Sequence, residues 1–140
     1  MKKINIIDIP EKMKKFYGEG TMLHPIDEIV ENEVKRIPFG KVATIGDLCQ
    51  KLATDHGTNV TCPMRTGNII KKMAEQAAAE VSAQIPYWRL IRSDEMVIKS
   101  KVYEVSAAKI AHEGFELEYM KSGNIKVKNS ENQRFTFDMD

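Results

Sequence analysis

Apolar positions follow a period near 3.6 through the middle of the chain and alternate toward both ends, which predicts a helical centre flanked by short strands. Residues 2–9 are rich in β-branched side chains and predict an edge strand or arm that Pro10 ends. Ile26, Ile29, Val30, Val34 and Ile37 then recur at helical intervals; Pro25 suits the first turn of that helix and Pro38 terminates it. After a turn carrying Pro38 and Gly40, Thr44 is placed to cap a second helix, with Asp47 three residues on and Ile45, Leu48 and Leu52 on one buried face, ending near Gly57. Thr61 is the expected cap of a third helix, with Pro63 in its first turn, running to about Ala79. Its apolar stripe is Gly67, Ile70, Ala74 and Ala77, and its opposite face carries Arg65, Asn68 and Lys72. Two short helices joined by a turn, the second polar and basic outside, make a helix-turn-helix pattern.

Beyond Pro86, the runs YWRLI and MVIKS flank the polar connector Arg92–Glu95 and predict a hairpin that would serve as a wing. Ser106 is the expected cap of a short helix, AAKIAHE, stopped by Gly114. Phe115, Leu117 and Tyr119, then Ile125 and Val127, alternate on either side of the turn KSGN as a second hairpin, and the tail QRFTFDMD is a candidate final strand. No internal repeat is visible.

Composition narrows the class. A chain of 140 residues and 15.9 kDa, 42% hydrophobic and 29% charged, fits one soluble domain and excludes collagen-like, low-complexity and wholly disordered chains. No apolar run is long enough for a membrane span and the N-terminus lacks a signal-peptide pattern, so a cytoplasmic protein is expected. Cys49 and Cys62 make no disulfide framework, and His24, His56 and His112 lie far apart, so neither a metal nor a cofactor is expected. The net charge is only +1, yet residues 34–72 hold seven basic and two acidic side chains, an excess of +5 over the helix-turn-helix segment.

The order of motifs resembles the DNA-binding domain of the O6-alkylguanine-DNA alkyltransferases and their alkyltransferase-like relatives, over roughly residues 25–120. Four segments carry the resemblance: IPFGKVATIGDL (37–48), PMRTGNII (63–70), IPYWRLI (85–91) and AAKIAHEGFEL (107–117). It implies a mixed α/β, mainly α, winged helix-turn-helix domain with small β-hairpins over residues 25–140, preceded by an N-terminal strand or arm over 1–24.

The family's reaction needs a cysteine thiolate that takes the alkyl group from a flipped-out guanine, and a neighbouring His, oriented by a Glu, to generate it. Here the Cys position is Tyr87 and the His position is Trp88; only Glu113 matches the orienting Glu. A phenol is mostly neutral at pH 7 and no imidazole stands beside it, so no alkyl transfer is expected. Alkyltransferase-like proteins also lack the acceptor Cys and bind alkylated DNA without repairing it. This sequence departs further: Ile45 stands where the family has a phosphate-turning Tyr, and Met64 where it has an intercalating Arg, with Arg65 one position late and about 100° round the helix.

The resemblance therefore implies a DNA surface of Thr44, Met64, Arg65, Thr66, Asn68, Lys71, Lys72 and Arg89, and a base pocket at Tyr87, Trp88 and Glu113. Met64 either packs or acts as an apolar wedge; Tyr87 and Trp88 either stack an extruded base or plug its pocket. Two functions follow. One is a non-catalytic protein that recognises alkylated or distorted double-stranded DNA and hands it to a repair-protein partner. The other is a winged-helix scaffold, with lesion recognition lost, that acts as a protein-interaction or regulatory module.

Overall fold

The chain is described by a computed structural model covering residues 4–79 and 85–137. In chain order its elements are β1 (Asn5–Asp8), α1 (Lys14–Tyr17), β2 (Thr21–His24), α2 (Asp27–Val34), β3 (Ala43–Thr44), α3 (Ile45–His56), β4 (Val60–Thr61), α4 (Pro63–Ala79), β5 (Leu90–Ile91), α5 (Tyr103–His112), β6 (Leu117–Tyr119) and β7 (Ile125–Val127). Short 3-10 turns occupy Glu11–Met13, Tyr87–Arg89 and Ser130–Gln133. The architecture is mixed α/β with small sheets, helix dominating, as the pattern predicts.

The helix-turn-helix forms from local signals. Asp27 and Glu28 place negative charge at the positive end of α2, and the chain continues past Val34 to Ile37 through tightened bonds, Arg36 N to Glu33 O and Ile37 N to Val34 O. This tightening shortens the helix expected from Pro25 to Ile37, while Val30, Val34 and Ile37 still reach the core. Thr44 Oγ1 accepts from Asp47 N at 3.1 Å, the predicted cap of α3. Gly57 closes that helix in the left-handed region at φ 69°, and Thr58 N reaches back to Ala53 O.

The next junction departs from expectation. Thr61 does not cap α4, because it lies in β4, paired in parallel with Leu23 of β2, and its hydroxyl donates to Cys49 O at 2.8 Å. Cys62 O instead receives Thr66 N, so α4 starts from a backbone contact. The arm is thus part of the same sheet: β1 pairs antiparallel with β2 at Ile6↔Leu23, and the order is β1-β2-β4. Residues 2 and 3 of the expected strand lie outside the described residues.

Parallel pairing of β3 with β5, Ala43↔Leu90 and Thr44↔Ile91, ties the start of α3 to the Tyr87–Ile91 segment. The predicted wing is contracted to one antiparallel bridge, Ile91↔Val97, closed by Arg92 N to Met96 O. Ser106 lies inside α5, donating to Val102 O at 3.1 Å, and the helix begins four residues earlier than expected, at Tyr103, just after Ser100 Oγ accepts from Val102 N. The second hairpin forms as β6–β7. The tail contributes a parallel bridge, Val42↔Arg134, in place of a full strand, and buries Phe137; residues 138–140 lie outside the described residues.

Two apolar clusters share Trp88. One joins Val34, Leu48, Leu52, Ile70, Tyr87 and Phe137; the other joins Val42, Ile91, Ile110 and Val127 beneath α5. The motif expected to carry chemistry therefore sits where the two halves of the core meet.

Candidate nucleic-acid interface

The outer face of α4 is open. Met64 is 73% exposed, and Arg65, Asn68, Lys71 and Lys72 are exposed beside it. Only one of these has a salt bridge among the described residues: Lys72 meets Asp27 at 3.1 Å, an exposed pair worth roughly 0–1 kcal/mol. Lys51, by contrast, is buried against Asp55 and Glu33, and Arg36 is paired with Glu33 at 2.7 Å. The basic excess of the segment therefore reaches solvent mainly through α4. His24, at the end of β2, is held below its ordinary value first by burial and then by the charge of Arg65, which places the ring within the electrostatic reach of this face.

Three residues expected on that surface are held elsewhere. Thr66 is 0% exposed and donates to Cys62 O at 2.8 Å, because its position on α4 turns toward α3. Thr44 is buried with its hydroxyl committed to the cap of α3, leaving only the helix end itself near solvent. Arg89 is largely buried: its Nε donates to Glu113 Oε2 at 2.9 Å and Oε1 at 3.2 Å, and its Nη1 to Ile37 O at 2.7 Å. That guanidinium ties the wing motif to the end of α2.

The Tyr87–Trp88–Glu113 group is a closed node. The Glu113 side chain, 3% exposed, accepts from Trp88 Nε1, Arg89 Nε and, at 2.7 Å, Gly40 N, so it joins the 37–40 turn, the Tyr87–Arg89 turn and the end of α5. An indole N–H only donates, so Trp88 has no basic nitrogen with which to take a proton from Tyr87. Its ring meets Tyr87 edge-on at 5.2 Å and an 88° angle, with Lys109 Nζ 4.7 Å and Arg89 Cζ 5.4 Å from its centroid.

Tyr87 is 4% exposed. Burial pushes its phenol up, with the nearby Ser106 hydroxyl acting the other way, and the phenol oxygen has no hydrogen-bond partner among the described residues. The space left around it, among Ile70, Ala74, Leu90, Ile98 and Ser106, is about 10 Å³. A single water needs roughly 10–15 Å³. The space at Tyr87 is thus filled, while the outer side of Trp88 and Glu113 lines a separate open cleft of about 450 Å³ with Phe39, Arg89 and Lys109.

Burial pushes the Cys49 thiol up, which keeps it protonated, and Cys62 is buried. Among the described residues no group of three His, Cys, Asp or Glu side chains is arranged to hold a metal, and no helix is long and apolar enough to cross a membrane.

The sequence pattern gives no sign that Gly40 N and Ile37 O would serve the node, since backbone groups carry no side-chain signature. Nor does it bring Tyr17 of α1 to the start of α4. The two regions line one cleft of about 280 Å³, together with Ile45, Cys49, Val60, Pro63 and Ser93.

Two solved structures share this fold: S. pombe Atl1 in complex with damaged DNA containing O6-carboxymethylguanine, and S. pombe ATL in complex with DNA. Each superposes with a TM-score of 0.59 at 20% sequence identity, covering 81% of this chain and 99% of its own. At that identity the likeness is one of fold. No protein-family model matches the sequence, and neither does any curated protein.

Proposed function

We propose that this chain is an alkyltransferase-like, non-catalytic DNA-binding protein that reads alkylated or distorted duplex in a repair context. The observation that carries the proposal is the open line of Met64, Arg65, Asn68 and Lys71 along α4, in a fold it shares with a protein solved on damaged DNA. Arg65, Lys71 and Lys72 supply phosphate contacts, and such contacts make binding fall steeply with salt. Met64 is an exposed apolar side chain at the leading end of the helix, positioned as a wedge between base steps. Alkyl transfer is absent from this reading: the phenol at the acceptor position is buried and protonated, and the only ring nitrogen beside it is a donor.

The filled space at Tyr87 favours the reading of distorted duplex over capture of an extruded O6-alkylguanine. The same observation favours the second function, a winged-helix scaffold that has lost lesion recognition and engages proteins. Titration of labelled duplex with and without O6-methylguanine, at low and moderate salt, separates them. The DNA-binding reading expects salt-sensitive binding to both duplexes with a preference for the distorted one. Negligible binding at low salt leaves the scaffold reading. Intact-mass measurement after incubation with the alkylated duplex is expected to show no added alkyl group.

A further inference from the structure

The tip of the N-terminal arm is unusual for a surface. Phe16 is 72% exposed, Tyr17 is also exposed, and Lys15 Nζ lies 5.1 Å from the Phe16 ring centroid. Two adjacent aromatic rings open to solvent are costly to leave bare and suit a ligand with flat faces, and Lys15 beside them is the lysine available to a phosphate, since Lys14 is paired with Glu11 and Glu19. The tip is also held in place. Asn59, just before β4, accepts from Thr21 N at 3.0 Å and donates its own N–H to Thr21 O at 3.1 Å. A Cβ on Gly20 would lie 2.2 Å from Asn59 Oδ1, so only glycine lets the arm approach this closely. Tyr17 thereby forms one wall of the 280 Å³ cleft, with Ile45 and Cys49 of α3 and Pro63 of α4 opposite, and Ser93 and Asn59 supplying polar groups. Pro63 immediately precedes Met64 and Arg65, so the cleft opens beside the exposed face of α4.

We propose that this cleft receives an unstacked nucleobase from the DNA held along α4, with Tyr17 as its aromatic wall, Phe16 edge-on beside it at its rim, and Lys15 toward the adjoining phosphate. This inference rests on the DNA-binding reading. It follows from space and place together: the volume at Tyr87 admits about one water, and the larger cleft of about 450 Å³ beside Phe39, Trp88 and Lys109 has no α4 residue in its lining, whereas the cleft under Tyr17 is mostly apolar, aromatic on one side, large enough for a planar ring and bounded by Pro63 of α4. A base leaving the stack in a distorted duplex therefore has a receptacle on this protein that does not require the core to open.

The test uses the whole chain and a duplex with one bulged 2-aminopurine, whose emission reports stacking, beside the fully paired duplex. Three proteins are compared: the wild type, Arg65→Ala, and Phe16→Ala with Tyr17→Ala. The side chains replaced in the arm are exposed, so circular dichroism and thermal melting of the double variant are expected to match the wild type. The wild type is expected to bind the bulged duplex more tightly than the paired one and to quench its emission. The arm variant is expected to lose the quenching and to bind the bulged duplex roughly tenfold more weakly, with paired-duplex affinity nearly unchanged. If Arg65→Ala weakens binding to both duplexes but the arm variant keeps wild-type quenching and preference, the cleft is not the receptacle and the DNA-binding reading stands. If the wild type binds neither duplex, the DNA-binding reading itself fails.

Discussion

The exposed face of α4 and the node around Glu113 lie on neighbouring elements yet have opposite character. Along α4, Met64, Arg65, Asn68 and Lys71 point outward with no salt bridge among the described residues. At the node, Glu113, Trp88 and Arg89 have their polar groups tied to one another and to the backbone, and Tyr87 is sealed within the core. The contrast teaches that residues of one short motif can be spent on holding the fold together while the helix beside them stays open to solvent. Glu113 accepts a hydrogen bond from Trp88, and an indole, which has no basic nitrogen, receives that support as an anchor where an imidazole would use it as a base.

The sharpest way to break this comparison is Glu113→Ala. It would leave the largely buried Arg89 guanidinium, the Trp88 indole N–H and the Gly40 N–H without their acceptor, and removing one partner of a buried ion pair costs roughly 3–5 kcal/mol. Urea denaturation is expected to show a loss of that size, while the folded fraction binds duplex as the wild type does. A stable variant that instead lost DNA binding would place Glu113 in the interface and dissolve the distinction.

Arg65→Ala tests the other side. It is expected to leave stability within about 0.5 kcal/mol, as exposed substitutions do. Duplex affinity should weaken severalfold, with the salt slope reduced by about 1 if the side chain meets one phosphate. Arg89→Ala should do the reverse, losing stability and keeping the slope, because its charge is spent on Glu113 and Ile37.

How much of this could be seen in the sequence differs between the same two regions. The apolar period placed α3 and α4 to within a residue or two, since Leu48, Leu52, Ile70 and Ala74 must share one buried face and Thr44 and Gly57 mark the ends of α3. The exposed set was legible for Arg65, Asn68, Lys71 and Lys72 by the same helical geometry, whereas Met64, left open between packing and a wedge, is 73% exposed. Thr66 escaped it because a threonine reads as polar in a pattern, while here its hydroxyl folds back onto Cys62 O and the whole side chain is buried. Arg89 and the true start of α4 were not legible, since both depend on contacts far along the chain: Ile37 O and Glu113 for one, pairing of β4 with β2 for the other. Whether Tyr87 fills or lines a pocket was likewise a question of volume, which composition and spacing do not encode.

Tyr87→Phe sharpens the assignment of that ring to the core. The substitution removes only a buried hydroxyl that has no satisfied hydrogen bond, and the shape of the ring is otherwise kept. An unsatisfied buried polar group costs about 1–3 kcal/mol, so thermal melting is expected to show the variant as stable as the wild type or more stable by about 1 kcal/mol. Duplex binding should not change. A destabilised variant would mean that the hydroxyl is satisfied by a water in the 10 Å³ space beside it.

The smallest expected effect links the open face to pH. His24 is held below its ordinary value by burial and by Arg65, so the unfolded chain binds a proton in the window just below pH 6.5 that the folded chain does not. Stability from this group is present above that window and falls as pH drops through it to the folded value. Phosphate docked on Arg65 would offset the charge that depresses His24 and raise its affinity for a proton. Binding would then take up a proton, and duplex affinity is expected to rise a few-fold between pH 7.5 and about pH 5.5. His24 is only partly buried, which keeps the effect small. His24→Gln should flatten the profile while preserving affinity at pH 7.5, and fluorescence titrations across the range measure both. A wild-type profile that is already flat would place the bound phosphates away from Arg65, toward Lys71 and Lys72, and would move the interface along α4 without removing it.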